Sequence, residues 1–306
     1  MKNVLLVAGA AVVASSAHAQ FITGITKPVF GVNQPIAYLT DVGTGSSSAL
    51  FDIELDLGIP ATAPGFGGLA GDDGNRRFFA SVRNGPNDDI YEFRYNDLFN
   101  PILRTATFGS AGQDVAIDGL AYDTSRGVLY GTRTLASANE AEGLFTIDLS
   151  TGLLTNVLDY AAQAGGASAY NIAGIDYDAG TDRIYLIDEQ SAGGRWIYSF
   201  DPSNPGLGLT QVAALPAEVT DIDGLGAGGG QLLLVTDNAS ANGGLHYVYD
   251  LALGTFSTIA SPYPAPAGTP IAPNPSGAGA YVPNIPAPGA LAVIGAAGLF
   301  SLRRRR

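Results

Sequence analysis

The chain of 306 residues contains no cysteine, only two histidines, one methionine and one tryptophan. The lack of cysteine excludes disulfides, thiolate metal sites and cysteine nucleophiles. His18 lies in an N-terminal segment that we expect to be removed, so any histidine chemistry would depend on His246. His246 lies in the alternating segment GGLHYVYD, with no neighbouring acid or serine. This pattern predicts a packed or surface residue rather than a catalytic base.

Basic residues are also scarce, with 15 Lys and Arg against 28 Asp and Glu and a net charge of −13. Lys2 and Arg303 to Arg306 are at the two ends, so the body of the chain is more acidic still. Because no basic stripe is available to neutralise phosphates, we expect no nucleic-acid partner. The sequence also lacks a G-x-S-x-G nucleophile elbow, a phosphate-binding loop and a dinucleotide fingerprint.

The first nineteen residues, MKNVLLVAGAAVVASSAHA, have the pattern of a secretory signal peptide. A short positive region at Lys2 precedes an apolar run, and Ala17 and Ala19 supply the small residues that signal peptidase requires. We therefore expect cleavage between Ala19 and Gln20 and export of the mature protein; the alternative is an N-terminal core helix.

The last residues, IPAPGALAVIGAAGLFSLRRRR, join a Pro-x-Pro element (Pro286, Ala287, Pro288) to an apolar run from Ala290 to Leu302. The run from Pro288 to Leu302 contains fifteen residues, fewer than the ~20 that a bilayer core needs. As a helix it is about 22 Å long at ~1.5 Å per residue. We expect a short hydrophobic helix that crosses the membrane transiently, with the arginines on the cytoplasmic side. The alternative is a docked or permanently inserted helix. The arginines end the chain: Arg303, Arg304, Arg305 and Arg306.

These three elements, in this order, resemble the PEP-CTERM sorting signal. The resemblance implies that residues 284–306 are recognised by an exosortase-type enzyme in the inner membrane of a Gram-negative-type bacterium. That enzyme would cut near Pro286–Pro288 and pass the protein to the cell surface or an extracellular matrix. Envelope polysaccharide or a surface protein would then be its partner. The departure from the family pattern is Ala287, where its name expects glutamate.

The body of the chain is a repeat, in a composition rich in Gly (41) and poor in charge (14%) that favours short strands joined by turns. Four segments align: FGGLAGDDG, IDGLAYDTS, IAGIDYDAG and IDGLGAGGG. Their anchors, Leu69, Leu120, Ile175 and Leu225, are 51, 55 and 50 residues apart. Each unit contains four alternating or apolar runs separated by turn residues, which predicts a β-propeller blade.

A fifth, incomplete unit precedes the others. Residues 36–41 match the second strand of a blade and residues 49–55 the third, while 279–282 can supply the missing first strand. We therefore predict an all-β propeller over residues 20–283, with five four-stranded blades closed by pairing of the N- and C-terminal strands. The alternative is a β-sandwich with similar hairpins. The segments GLAYD and LFTIDLSTG resemble those of YVTN/NHL-type propellers of bacterial envelopes, but they carry no activity.

The candidate site residues surround the central channel. Asp118 and Asp223 precede the Gly-aliphatic pair of their units, with Asn171 and Asp221 nearby. Such oxygen ligands suit Ca²⁺, which propeller lactonases of similar fold bind in such a place. Alternatively, these side chains bind backbone N–H groups of adjacent blades. The other Asp-rich segments, at 72–75, at 87–89 and at Asp176 with Asp178, are predicted as turns.

Two functions remain open from the sequence. The first is an exported surface or matrix protein with a binding or structural role, which is not an enzyme and requires no cofactor. The second is a Ca²⁺-dependent propeller hydrolase of the envelope that acts on a lactone or an ester.

Overall fold

The structure of the protein is a computed structural model. It describes residues 20–29, 32–52, 66–84, 87–105, 107–108, 117–133, 142–163, 170–189, 195–219, 222–236, 245–260 and 274–281. Within these ranges, no helix is both long and apolar enough to cross a membrane. The signal peptide (1–19) and the sorting tail (284–306) lie outside the described residues and stay predictions.

Five antiparallel sheets of four strands form the blades of a ring, so the predicted five-bladed β-propeller is confirmed. Within each blade, the strands are ordered from the central channel outward. Blade 1 contains β21 (Asn274–Tyr281), β1 (Gln20–Val29), β2 (Val32–Asp41) and β3 (Ser46–Asp52). Blade 2 contains β4 (Phe66–Asp72), β5 (Arg77–Asn84), β6 (Asn87–Arg94) and β7 (Asp97–Thr105).

The remaining blades follow in chain order. Blade 3 contains β9 (Gly119–Asp123), β10 (Val128–Arg133), β11 (Gly143–Ile147) and β12 (Leu153–Asp159). Blade 4 contains β13 (Ile172–Asp178), β14 (Arg183–Asp188), β15 (Trp196–Phe200) and β16 (Leu209–Ala214). Blade 5 contains β17 (Ile222–Gly228), β18 (Gln231–Thr236), β19 (Leu245–Asp250) and β20 (Thr255–Ala260).

Three short helical segments and one extra strand complete the described part. They are α1 (Tyr160–Gln163), two 3-10 turns (Asp73–Asn75 and Pro205–Leu207) and β8 (Thr107–Phe108). The strand β8 pairs in parallel with the outer edge of blade 3. It therefore gives this blade a fifth strand that the repeat does not predict.

The ring closes by pairing of the two ends of the propeller, as the sequence predicts. Strand β21 is the central strand of blade 1 and pairs antiparallel with β1, where Phe21 lies opposite Tyr281 and Thr23 opposite Gly279. The positions assigned to the first unit are wrong by one strand. Residues 36–41 belong to the third strand of the blade and residues 49–52 to the fourth, because Gln20–Val29 forms the second. That segment is easily overlooked, since Gly24, Lys27 and Pro28 all weaken a strand pattern.

The hydrophobic core lies between the blades rather than at one centre. Among the described residues, five clusters of buried apolar side chains each join two neighbouring blades, and together they complete the ring. Representative pairs are Phe51 with Phe78, Phe79 with Tyr122, Tyr130 with Tyr177, Ile187 with Leu225, and Phe21 with Leu233. Strand β9, the central strand of blade 3, is buried at all five positions and reads as a nearly continuous apolar run, whereas the outer strand β12 exposes Leu153, Thr155 and Asn156.

The glycine of the Gly-aliphatic pair allows the central strands to approach each other. A Cβ on Gly68 would lie 2.4 Å from the backbone nitrogen of Leu120, and one on Gly174 would lie 2.6 Å from that of Leu225. Both neighbours are main-chain atoms of the next blade, so only glycine fits at these two positions. The glycine therefore recurs in the repeat because the backbones of successive blades are in close contact around the channel.

The two ends of the ring differ. One, which we call the turn face, carries the tight turns between the first and second strands of blades 2 to 5: residues 73–76, 124–127, 179–182 and 229–230. The opposite end, the loop face, carries the connections that lead from one blade into the next, such as residues 215–219. An aspartate at the end of the first strand caps three of these turns, as Asp123 does by accepting hydrogen bonds from the backbone N–H groups of Ser125 and Arg126, each at 3.0 Å.

Candidate functional site

The candidate site is a cavity of about 330 Å³ on the turn face, where the first strands end around the channel. A cavity of this volume lies at the lower end of the ~300–1,000 Å³ range that is usual for small-molecule sites. Its described lining comes from four blades: Gly71, Asp73, Gly74, Tyr122, Thr124, Asp176, Tyr177, Asp178, Ala179, Gly180, Gly229 and Gly230. Because each blade contributes only two to five residues, no single repeat unit contains the site.

Backbone N–H groups hold two carboxylates of the cavity, those of Asp176 and Asp178. Asp176 is buried, and its Oδ2 accepts a hydrogen bond of 2.8 Å from the backbone nitrogen of Ala227 in the next blade. Asp178 accepts hydrogen bonds of 3.2 Å from the backbone nitrogens of Gly180 and Thr181 in its own turn. Among the described residues that line the cavity there is no lysine, arginine or histidine. The cavity therefore has an acidic wall in which Asp176 and Asp178 are held in position.

Two tyrosines occupy the same position in successive repeats and form another part of the wall. The hydroxyl of Tyr177 donates to Oδ1 of Asp182 at 2.8 Å and contacts Oγ of Ser125 in blade 3 at 3.2 Å. Burial raises the pKa of Tyr177 to about 12, so the hydroxyl stays protonated at neutral pH. Tyr122 accepts a hydrogen bond of 3.1 Å from Arg77 of blade 2. Both side chains thus connect their blade to a neighbour.

Arginines beside the cavity pair with acids of adjacent blades or of their own. Arg126 of blade 3 forms two hydrogen bonds, of 2.7 and 2.9 Å, with the carboxylate of Asp182 in blade 4. These bonds hold the pKa of Asp182 well below its ordinary value. On the other side, Nε of Arg77 lies 2.7 Å from Asp72, and its guanidinium lies 5.0 Å from the ring centre of Phe79. Arg126 thus links blades 3 and 4 through a bidentate pair at the turn face, whereas the contacts of Arg77 with Asp72 and Phe79 lie within blade 2.

The chemistry available in the cavity is that of hydrogen-bond acceptance and of attraction for positive charge. Carboxylate oxygens accept hydrogen bonds, glycine backbone leaves the wall open to a close approach, and aromatic rings give an apolar surface. Such a combination suits a ligand rich in hydroxyl groups or a cationic one.

The residues predicted to bind Ca²⁺ lie at the opposite end of the first strands. Asp118 and Asp223 are half-buried and belong to blades 3 and 5, with blade 4 between them. Asn171 donates its backbone N–H to Asp188 at 3.0 Å, and Asp221 lies outside the described residues. No group of three or more acidic or histidine side chains with the spacing of a metal site occurs in the described ranges. The Ca²⁺ site stays a prediction.

The other residues singled out in the sequence have varied outcomes. His246 is fully buried, and its Nδ1 accepts a hydrogen bond of 3.3 Å from the backbone nitrogen of Thr236. The segment 72–75 forms a turn as predicted. The segment 87–89 does not, because it begins strand β6, where Asp88 accepts a hydrogen bond of 2.7 Å from the backbone nitrogen of Ile117 in the next blade.

Three residues of the cavity, Tyr122, Tyr177 and Asp176, are not predicted as site residues from the sequence. Tyr122 and Tyr177 are visible as an aromatic repeated before the turn aspartate, but their bonds to neighbouring blades are not encoded in any local pattern. Asp176 also carries a signal, since the aligned positions of the other repeats are Ala70, Ala121 and Gly226. An acid where the other copies are small marks a departure from the repeat.

No protein-family model and no curated protein matches the chain. It is similar to the crystal structure of TolB from Acinetobacter baumannii, with a TM-score of 0.47 and 12% identity over 79% of this chain and 53% of that one. It is also similar to the structure of U3-55K, with a TM-score of 0.38 and 9% identity over 63% of this chain and 51% of that one. The chain thus spans about half the length of these two structures.

Proposed function

We propose that the protein is an exported β-propeller that is routed to the cell surface or matrix by its C-terminal tail and acts there as a binding module. The observation that carries the proposal is the closure of the ring. Strand β21, which completes blade 1, ends at Tyr281, three residues before the tail begins. The tail is therefore not needed to complete any blade, which is what a removable sorting segment requires.

The routing is tested by mass spectrometry of the protein recovered from the surface of its host. We expect an N-terminus at Gln20 and the loss of all residues beyond the Pro286–Pro288 region. Replacement of both prolines by alanine should leave the precursor in the membrane fraction. Pro283→Ala, which alters a proline just before the tail, is the matched control and should be processed normally. Recovery of an exported form that still contains Arg306 would refute the routing.

The binding role is assigned to the cavity of the turn face, whose fixed carboxylates and tyrosines suit a hydroxyl-rich ligand such as envelope polysaccharide. Its test is retention of the propeller, residues 20–283, on polysaccharide purified from the host envelope. Ala179→Trp places a large side chain at the cavity and should abolish retention. Ala217→Trp, on the exposed loop face, is the matched control and should bind normally. Equal binding of the two variants contradicts the assignment of the cavity.

A further inference from the structure

We infer that the protein is held with its turn face toward the surface to which the tail attaches it, and with its loop face directed outward. The inference rests on the proposed function, since it takes the tail as the attachment. It adds which side of the propeller meets the envelope and which side is available to large partners. It follows from the position of the chain ends and from the length of the connection.

Both ends of the propeller leave from the turn face. In blade 1, Phe21 and Tyr281 lie opposite each other at the start of β1 and the end of β21. A Cβ on Gly226 would lie 2.4 Å from the ring of Phe21, and Gly226 is two residues from the end of β17 at the turn face. The other end of β21, at Asn274, pairs with Thr26, farther along β1. The chain therefore emerges beside the channel on the same side as the turns.

The connection to the membrane is too short to allow the opposite orientation. From Tyr281 to Ala290, where the apolar run begins, nine residues span at most about 30 Å. The propeller is about 26 Å thick along the eight residues of β21, at ~3.3 Å per residue. Because β21 is the innermost strand of its blade, the rim is also three strand spacings away, or at least about 14 Å. A chain that passed over the rim and back to the loop face would need about 40 Å.

This geometry assigns different partners to the two faces. The cavity with Asp176 and Asp178 would face the envelope, within about 30 Å of the membrane while the tail is intact. After processing near Pro286, the new C-terminus still leaves the turn face, so an attachment made there keeps the same face inward. Large partners in the medium would meet the loop face.

The test measures the distance of each face from a membrane by energy transfer. The chain from Gln20 to Arg306 is reconstituted in vesicles of phosphatidylethanolamine and phosphatidylglycerol that contain an acceptor-labelled lipid. Since the protein has no cysteine, Ala179→Cys and Ala217→Cys each give a single site for a donor dye, on the turn face and on the loop face respectively. Both alanines are exposed, so the two variants are matched. The same variants in a chain that ends at Pro283 serve as controls without the tail.

We expect stronger transfer from residue 179 than from residue 217, equivalent to a distance shorter by about 25 Å, which is the thickness of the propeller. The controls should show no transfer. Equal transfer from the two sites, stronger transfer from residue 217, or failure of the full chain to stay with the vesicles each overturns the inference. An unprocessed tail in the host contradicts the proposed routing but does not change what the vesicle measurement says about orientation.

Discussion

The contact between the central strands of blades 4 and 5 gives the sharpest test of the fold, through the variant Gly174→Ala. The added Cβ would lie 2.6 Å from the backbone nitrogen of Leu225 and 2.9 Å from the backbone carbonyl carbon of Gly224. Real Cβ atoms do not approach other heavy atoms this closely. Both contacts are with main chain, which cannot turn aside as a flexible side chain can. The two blades must therefore separate locally.

The expected cost is at the upper end of the ~1–3 kcal/mol that is typical of an overpacked site. For a chain of this size, each kcal/mol lowers the melting temperature by roughly 2–4 °C. We therefore expect Gly174→Ala to melt about 6–12 °C below the wild type, since a loss of about 3 kcal/mol is converted at that rate.

The assay is thermal unfolding followed by far-ultraviolet circular dichroism, with Gly206→Ala as the matched control. A Cβ on Gly206 would have no heavy atom within 4 Å, and the residue lies in a surface turn. The control should therefore remain within about 0.5 kcal/mol of the wild type. If the two variants melt at the same temperature, the close approach of the central strands is wrong.

Four other measurements probe separate parts of the molecule. Burial lowers the pKa of His246 from 6.5 to about 4, so between these pH values the unfolded state binds more protons and the free energy of unfolding falls as the pH falls. Over that interval, chemical denaturation should show that the wild type loses about 3 kcal/mol more than His246→Asn. Equal losses would contradict the burial. Asp88→Ala removes the acceptor of the Ile117 backbone N–H and should lower the free energy of unfolding by about 1–3 kcal/mol. Asp97→Ala, at an exposed site, should lower it by less than about 0.5 kcal/mol in the same denaturation experiment. Deletion of 284–306 should leave the melting temperature unchanged, and deletion of 274–306 should abolish cooperative unfolding, because only the second removes β21. Melting with and without EDTA should give the same temperature, and a drop on chelation would instead favour the Ca²⁺ site at Asp118 and Asp223.

The architecture can be predicted from the sequence because its determinants repeat. The Gly-aliphatic pair, the turn residues and the alternating third strand recur at intervals of 51, 55 and 50 residues, and a recurring unit can be recognised even where one copy is degenerate. The closing strand follows from the same logic, since a unit without a first strand must receive one from elsewhere in the chain. The error of one strand in blade 1 arises where the repeat is interrupted, in a segment with Gly24 and Pro28.

The contacts between blades cannot be predicted in the same way. Two aspartates after an asparagine predict a turn at Asp88, yet its carboxylate binds a backbone nitrogen 29 residues away. Local patterns record which residues favour turns or strands, whereas this bond depends on the distance between two blades. The same holds for Arg126, whose partner Asp182 is 56 residues away.

Aspartates that recur in the repeat cap turns, whereas Asp176 does not recur and lies at the candidate site. Asp72, Asp123 and Asp178 follow the anchor of their units by three residues, and each caps the turn that its own blade requires. They recur because every blade needs the turn, so their recurrence indicates structure. In blade 4 the turn is capped by Asp178, not by Asp176. Asp176 is a buried acid at a position where the other repeats have small residues. It borders the cavity of the turn face, which residues of four blades line. Since the other repeats form the same strand with a small residue at this position, the place where the repeat is broken is where a function specific to this protein is best sought.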